Sequence, residues 1–328
     1  MSIEINICPG TLKKGFTSYS PSCLRKVFAN RKVSHILPYK SSSQSEEDNQ
    51  KFIENRKRIS ISGVQEKLSL ILEKNKLRLT SEGELGNYIL KPIPRDLKFV
   101  NQIPANEHLT MQIAYQVYGI ETAPNALIFF QSGEQAYITK RFDVKTDGTK
   151  WGKEDFASLA ERTKDSHGND YKYEDFSYEG VASIIKKYVG AYQIEIEKFY
   201  KLILFNFLFS NGDAHLKNFS LLETISGDYI MSPAYDLLNT RIHVADTAFA
   251  LKNGLFTDGS ARNPNQKNLL DFGLKIGIKE SRRDKIFASF LNHKGQVQKL
   301  INLSFLDDRA KRGYTIHFNT RLNVMMDK

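Results

Sequence analysis

Residues 205–222 read FNFLFSNGDAHLKNFSLL, and this stretch organises the interpretation of the whole chain. A mostly apolar run ends at an Asn-Gly pair, after which a carboxylate (Asp213) and an imidazole (His215) follow two positions apart. An amide (Asn218) comes five residues after the carboxylate, and then an apolar run resumes. This pattern predicts polar side chains on a loop between two buried elements.

The layout suits phosphoryl transfer to a hydroxyl, in which one carboxylate orients the acceptor and other groups hold magnesium on the phosphates. Asp213 fits the first role and Asn218 the second. A second magnesium carboxylate should lie on a following hairpin, and residues 231–238 (MSPAYDLL) supply Asp236. For Asn-Gly-Asp alone an ordinary turn is the alternative, since Gly and Asn tolerate positive φ and Asp bonds nearby amides. A turn alone, however, does not require the later carboxylate.

The composition is that of a globular protein. The chain has 328 residues, of which 41% are hydrophobic and 26% charged, enough for one large or two ordinary domains. Its net charge of +10 (47 basic minus 37 acidic) is compatible with an anionic partner but does not specify one. Two cysteines do not suggest a disulfide framework or a metal site, so we expect a reduced, cytoplasmic compartment. We also expect no secretory signal and no membrane span.

Residues 1–143 read as a strand-rich N-terminal lobe. Residues 40–51 have almost no apolar content and are expected to form a mobile loop. Alternating leucines predict a β-hairpin over residues 67–80, and YILK at 88–91 predicts a third strand. Lys91 at the end of this strand can meet the α- and β-phosphates of ATP, with a snorkelling edge lysine as the alternative.

The rest of this lobe predicts a helix and a second hairpin. Helical spacing over residues 106–118 makes Asn106 the expected N-cap and puts Glu107 in the first turn, where pairing with Lys91 stays open. The hairpin leads into TKRFD at 139–143. In a two-lobed nucleotide-binding fold this segment would be the hinge that meets adenine, with Asp143 on the ribose. An ordinary strand exit is the alternative.

Residues 144–328 read as a helix-rich C-terminal lobe. Helical apolar spacing covers residues 154–162, 178–188 and 194–209, and short helices are expected over 269–328. The two halves together predict an α+β fold with a strand-rich N-lobe, a helical C-lobe and a nucleotide cleft between them.

Six segments resemble, in order, those of the HipA family of bacterial serine/threonine kinases, the toxins of type II toxin–antitoxin pairs. They are SISGVQEK (60–67), YILKP (88–92), NEH (106–108), TKRFD (139–143), NGDAHLKNF (211–219) and SPAYD (232–236). The serine segment and the Asp-x-His-x-x-Asn element carry most of the weight. The resemblance implies a protein-kinase-like, HipA-like fold that uses ATP and Mg²⁺.

The resemblance also implies a role for each matching residue. It implies that Asp213 is the catalytic base and that Asn218 and Asp236 bind magnesium. For nucleotide binding, it implies that Lys91 and His215 contact the phosphates. It implies further that a loop of Ile61, Ser62 and Gly63 covers the phosphates. Adenine and ribose would be contacted by Lys140, Phe142 and Asp143. Autophosphorylation is implied at Ser60, with Ser62 as a second candidate, and a phosphate there should lower activity.

The resemblance also implies which proteins this chain would act on and bind. The targets are aminoacyl-tRNA synthetases, whose phosphorylation near the ATP-binding loop would block tRNA charging and arrest translation and growth. Only 59 residues precede Ser60, and the serines are paired as Ser-Ile-Ser, so the chain resembles the short HipT type. In that type the missing N-terminal subdomain is a separate small protein that can act as antitoxin. A helix-turn-helix DNA-binding antitoxin would be the third component, and DNA contact by this chain would be mainly indirect.

Two other functions fit parts of the sequence. The Asp-x-His-x-x-Asn spacing is shared with small-molecule phosphotransferases of the aminoglycoside and choline kinase type. Such an enzyme needs an acidic pocket for a cationic substrate, and the basic C-terminal half offers little sign of one. A non-catalytic nucleic-acid-binding module rests on charge alone, because no groove-reading motif or stacking-aromatic signature is recognisable.

Overall fold

The computed structural model describes residues 4–39, 67–94, 100–245 and 247–327. The predicted mobile loop at 40–51 and the predicted phosphate-loop residues Ser60, Ile61, Ser62 and Gly63 lie outside the described residues.

A five-stranded antiparallel sheet dominates the N-terminal part, in the order β2-β1-β3-β5-β4. Its strands are β1 (Leu68–Glu73), β2 (Lys76–Leu79), β3 (Tyr88–Lys91), β4 (Asn125–Phe129) and β5 (Gln135–Lys140). In the first hairpin Leu70 lies opposite Leu79 and Leu72 lies opposite Leu77. Because alternate side chains of a strand share one face, these four leucines lie on the same face of the sheet. Both predicted hairpins and the predicted third strand are confirmed.

Two helices cover the faces of this sheet. Helix α1 (Pro21–Phe28) packs with Val27 and Phe28 in a cluster that includes Leu68 and Leu90. On the other face, α2 (Ile103–Gln116) contributes buried residues to the main core, which continues into the C-terminal part.

The prediction that Asn106 caps α2 is wrong. The helix begins at Ile103, after the 3₁₀ turn Val100–Gln102, with Pro104 in its first turn, a position where proline is well tolerated. Asn106 therefore lies inside the helix, where it is fully buried.

The C-terminal part is mainly helical. Its helices are α3 (Phe156–Leu159), α4 (Lys164–His167), α5 (Tyr178–Tyr188), α6 (Tyr192–Leu208), α7 (Gln266–Lys275), α8 (Glu280–Leu291), α9 (Lys294–Leu303) and α10 (Asp308–Met326). A small antiparallel sheet accompanies them, formed by β6 (Lys153–Asp155), β7 (Ser220–Glu223) and β8 (Tyr229–Met231). None of the helices in the described ranges combines the length and hydrophobicity needed to cross a membrane.

Two of the expected helical segments differ from the structure. Residues 153–155 pair with β7 as a strand, so the helix expected over 154–162 shrinks to α3. The last helix is not short: α10 has 19 residues, and its buried side chains are Ala310, Tyr314, Phe318, Leu322 and Met325. These recur every three or four positions among polar residues, so the helix is held by one narrow buried stripe.

Aromatic packing joins the two parts and fixes the element that carries the predicted catalytic loop. Helix α6 contributes three buried phenylalanines, Phe199, Phe205 and Phe207. Tyr118, just after α2, contacts Phe205 at its end, Phe209 just beyond it and Phe290 of α8, the last at a ring-centroid distance of 4.7 Å. The loop after α6 therefore starts from a rigid position.

Replacement of Gly254 by alanine is expected to destabilise the C-terminal part. Gly254 has φ +67°, and an added Cβ would lie 2.4 Å from the carbonyl oxygen of Ala261. Its own carbonyl accepts a hydrogen bond from the first amide of α5, at Tyr178. Gly259 is the matched control, because it has φ +73° but no atom closer than 3.5 Å to such a Cβ.

Both substitutions should cost about 1–2 kcal/mol for the left-handed backbone, and only Gly254→Ala should add a steric penalty. Urea unfolding of the two variants measures the difference. Equal losses would show that the close approach to Ala261 relaxes without cost.

Candidate active site

A cleft of about 880 Å³ lies between the five-stranded sheet and the helical part. All eight predicted site residues within the described ranges line it. They are Lys91, Lys140, Phe142, Asp143, Asp213, His215, Asn218 and Asp236. The structure therefore brings together side chains that are far apart in the sequence, while the role of each stays a prediction.

The loop that carries Asp213 is held by hydrogen bonds to its surroundings. As α6 ends, Asn211 donates through its backbone and side-chain nitrogens to Asn206, at 2.8 and 3.0 Å. Tyr178 of α5 donates to the carbonyl of Ala214 at 2.9 Å. Asn218 closes the loop by donating from Nδ2 to the backbone oxygen of Asp213 at 3.2 Å. The loop is thus an ordered platform.

Lys91 is buried between two carboxylates. Its Nζ lies 2.6 Å from Oε1 of Glu107 and also contacts Oδ1 of Asp236. The side chain of Lys91 is 5% exposed and that of Glu107 is 2% exposed. A snorkelling edge lysine is excluded by this burial, and the pairing with Glu107 that the sequence left open is formed. Lys67 lies on the outer side, with its Nζ 4.0 Å from Oδ2 of Asp236.

The charged groups of this cluster shift one another's pKa values. Burial opposes the charge on Lys91, but Asp236 and Glu107 outweigh it and raise the pKa of the lysine above its ordinary value. Burial likewise opposes the charge on Asp236, yet Lys91 and Lys67 hold its pKa well below the usual range. For Glu107 burial prevails over Lys91 and raises the pKa to about 7.

The predicted adenine and ribose contacts lie at the end of β5 and in the residues that follow it. Arg141 donates to both carboxylate oxygens of Asp143, at 3.0 and 2.6 Å. Burial opposes the ionisation of Asp143, but these bonds keep its pKa below the usual value. Phe142 faces Tyr235 at a ring-centroid distance of 5.7 Å, and Lys153 lies over the Tyr235 ring at 5.2 Å. Aromatic faces at this position suit a planar base.

Several lysines lie in the part of the cleft around Asp213 and His215. Burial, aided by the charge of Lys172, lowers the pKa of His215 to about 3, so this imidazole is neutral at physiological pH. Lys67, Lys172 and Lys217 line the same region of the cleft. A concentration of positive charge beside a carboxylate loop favours a polyanionic ligand.

Asn106 was assigned no role in the site from the sequence, but it anchors the segment that follows Asp236. Its Oδ1 accepts the amide of Asn239 at 3.0 Å, while its Nδ2 donates to the Asn239 carbonyl and bonds Nε2 of His243, both at 2.9 Å. Next to it, Thr240 accepts the amide of Gly212 at 3.0 Å. The segment therefore connects α2 to the loop that carries Asp213. A polar residue inside an apolar helical pattern was the available clue.

The donor set fits magnesium bound together with a phosphate ligand. Within the described ranges, no three His, Cys, Asp or Glu side chains are grouped as a metal site. Magnesium in such enzymes is commonly held by one or two protein oxygens plus substrate phosphates. Asp236 offers carboxylate oxygens, and the amide nitrogen of Asn218 is engaged with Asp213, so its oxygen is the atom that can face a cation.

The family model of the HipA-like C-terminal domain matches residues 59–297. The chain belongs to the HipA-like C-terminal domain family. A Haemophilus influenzae protein named "Putative kinase" is 26% identical over 334 residues, covering 92% of each chain. A Sinorhizobium fredii protein named "Putative kinase Y4dM" is 30% identical over 222 residues, covering 62% of this chain and 51% of that protein. The chain thus matches about half the length of this second relative and nearly all of the first.

Two solved structures share the fold. A chain in the Shewanella oneidensis MR-1 complex of HipA, HipB and operator DNA matches with a TM-score of 0.60 and 19% identity, covering 89% of this chain and 76% of that one. The Helicobacter pylori proinflammatory kinase CtkA matches with a TM-score of 0.50 and 17% identity, covering 76% and 91%. The predicted two-lobed, HipA-like fold is confirmed, and membership of the HipA-like family supports a kinase.

Removal of the Lys91 charge should destabilise the protein far more than removal of its Glu107 partner. Lys91→Met leaves two carboxylates facing each other in a buried site, and we expect a loss of about 3–5 kcal/mol. Glu107→Gln leaves the Lys91–Asp236 pair intact and should cost less than about 1 kcal/mol. Chemical unfolding of each variant measures the free energy of unfolding.

Lys267→Met is the control for this series. Lys267 pairs with Asp271 on the surface of α7, and its side chain is 80% exposed, so little change is expected. A Lys91→Met variant no less stable than this control would contradict the charge balance described for the cleft.

Proposed function

We propose that this chain is a serine/threonine protein kinase that uses Mg-ATP and phosphorylates an aminoacyl-tRNA synthetase, thereby inhibiting translation and growth. One observation carries the kinase part of the proposal. Lys91, Asp236 and the loop that carries Asp213 and Asn218 are three separate segments that line one cleft, with Lys91 held by a buried carboxylate on α2. This is the set of groups that phosphoryl transfer between ATP and a hydroxyl requires.

In the proposed reaction Asp213 is the catalytic base. It takes the proton of the acceptor hydroxyl as the acceptor oxygen bonds to the γ-phosphorus and the bond to the bridging oxygen of ADP breaks. Lys91 holds the α- and β-phosphates, and Glu107 keeps Lys91 in place. Asn218 and Asp236 would hold Mg²⁺, which would neutralise charge on the phosphate oxygens.

The remaining cleft residues bind the nucleotide in this proposal. Neutral His215 donates a hydrogen bond to a phosphate oxygen, and Lys140, Phe142 and Asp143 contact adenine and ribose. Support for the second group comes from their position at the end of β5 and just after it, where Phe142 faces Tyr235.

The serine segment would regulate the enzyme. Ile61, Ser62 and Gly63 cover the phosphates, and Ser60 or Ser62 becomes autophosphorylated, which adds about two negative charges and repels the phosphates of ATP. The segment leads directly into Lys67, which lies beside Asp236 in the cleft. Its position in the sequence supports the proposal.

The proposed partners follow the short HipT type of a three-component toxin–antitoxin system in the cytoplasm. A small antitoxin that resembles the N-terminal subdomain of the long HipA proteins would be one partner, and a helix-turn-helix antitoxin that binds DNA would be the other. The solved complex of a structurally similar chain with HipB and operator DNA supports the second partner. We further propose a lobe boundary between residues 143 and 144, just past the end of β5.

The small-molecule phosphotransferase is the weaker candidate. A cationic substrate needs an acidic pocket, but this cleft is lined by eight basic and seven acidic side chains. The basic and acidic side chains nearly balance, so the cleft lacks the acidic character that would favour an aminoglycoside or choline.

Transfer of phosphate from labelled ATP should require Asp213. In the presence of a panel of aminoacyl-tRNA synthetases, the wild-type chain should label one of them on serine, and Asp213→Asn should lower the rate by at least about 100-fold. Intact mass should also show a step of about 80 Da on the wild-type chain alone, from its own phosphorylation.

Asp271→Asn is the matched control, because Asp271 lies on the surface of α7 and outside the cleft. It should transfer phosphate at the wild-type rate. Undiminished transfer by Asp213→Asn, or no transfer to any protein by the wild type, would refute the proposed kinase.

A further inference from the structure

Tyr173 places its hydroxyl on the side chain proposed as the catalytic base. The phenol donates a hydrogen bond to Oδ1 of Asp213 at 2.8 Å. Tyr173 lies 40 positions before Asp213 and belongs to none of the six segments that suggested the family. Its contact with the base therefore comes from the fold alone.

The loop that carries Tyr173 is fixed by a buried arginine. Arg162 is 8% exposed, and its guanidinium donates to the carbonyl of Tyr171 at 3.0 Å and to that of Glu174 at 2.7 Å. The two carbonyls flank Tyr173 on either side. The backbone of Tyr173 itself accepts the amide of Lys252 at 3.0 Å. Three hydrogen bonds thus hold the loop at the tyrosine.

The same loop is also attached to the catalytic loop. Leu216, three residues after Asp213, donates its amide to the carbonyl of Lys172 at 3.2 Å. The ring of Tyr173 meets the His215 ring edge to face at a centroid distance of 4.9 Å. These contacts fix both the backbone and the ring of Tyr173, so the direction of its hydroxyl is determined.

We propose that Tyr173 is a positioning residue for phosphoryl transfer, which holds the Asp213 carboxylate in the orientation that receives the acceptor's proton. The inference rests on the proposed function, since it assumes that Asp213 is the base. Bases in group-transfer sites are commonly oriented by a third group through a hydrogen bond. A carboxylate has about four acceptor positions on its two oxygens. Tyr173 and an acceptor hydroxyl are therefore able to bind the same carboxylate together.

A different role would follow if the Tyr173 hydroxyl occupied the acceptor's own place. In that case the tyrosine would compete with the substrate, and its removal would raise the rate. The anchoring by Arg162 favours the positioning role, because the loop is held by buried hydrogen bonds that displacement would break.

Tyr173→Phe removes the hydroxyl and keeps the ring on His215. We expect kcat for phosphate transfer to fall by about 10-fold, with the KM for ATP and for the acceptor protein and the melting temperature unchanged. A defect in loop structure would instead raise KM or lower the melting temperature.

Tyr171→Phe is the matched control, because Tyr171 lies in the same loop and its hydroxyl is 3.4 Å from Nζ of Lys217. It should retain the wild-type kcat. An active wild type with an unchanged or raised kcat in Tyr173→Phe would overturn the inference and leave the kinase proposal intact, and so would an equal fall in Tyr171→Phe. A wild type without transfer activity would overturn both.

Discussion

The site depends on the burial of Lys91 between Glu107 and Asp236. The lysine ends a central strand of the sheet, Glu107 lies in α2, and Asp236 follows the last strand of the small C-terminal sheet. An ammonium group with this little exposure is costly unless carboxylates compensate it. The three elements are therefore constrained to meet, and their meeting point is the floor of the cleft. Asp236 itself has φ +56°, an unusual backbone for a non-glycine residue that the surrounding contacts must maintain.

A second layer of polar contacts supports this cluster. Asn106, one residue before Glu107, forms side-chain hydrogen bonds with the backbone of Asn239, which lies three residues after Asp236. Thr240 continues the connection to Gly212, directly before the proposed base. The spacing between the ion cluster and the loop that carries Asp213 is thus set by hydrogen bonds between buried side chains and backbone groups. Rigid support of this kind is what a preorganised site needs.

Much of the fold could be predicted because its periodicities are local. The leucine alternation of residues 67–80 and the spacing of α5 depend on neighbours along the chain, and both match the structure. The cap at Asn106 was wrong because its side chain bonds a segment 133 positions away. Within the site, the polar residues of the loop that carries Asp213 could be identified from the sequence by their spacing. The contact of Tyr173 with Asp213 could not, because it depends on hydrogen bonds from Arg162, Leu216 and Lys252 that hold the Tyr173 loop in the folded chain.

Calorimetric titration with a non-hydrolysable ATP analogue, with Mg²⁺ and with a chelator, tests most directly whether this cleft is a magnesium-nucleotide site. The wild-type chain should bind the analogue about 10–100-fold more tightly with Mg²⁺, and Asp236→Asn should lose that gain while retaining the metal-free affinity. An Asp236→Asn variant with the full Mg²⁺-dependent gain, or a wild-type chain that does not bind the analogue, would contradict the account.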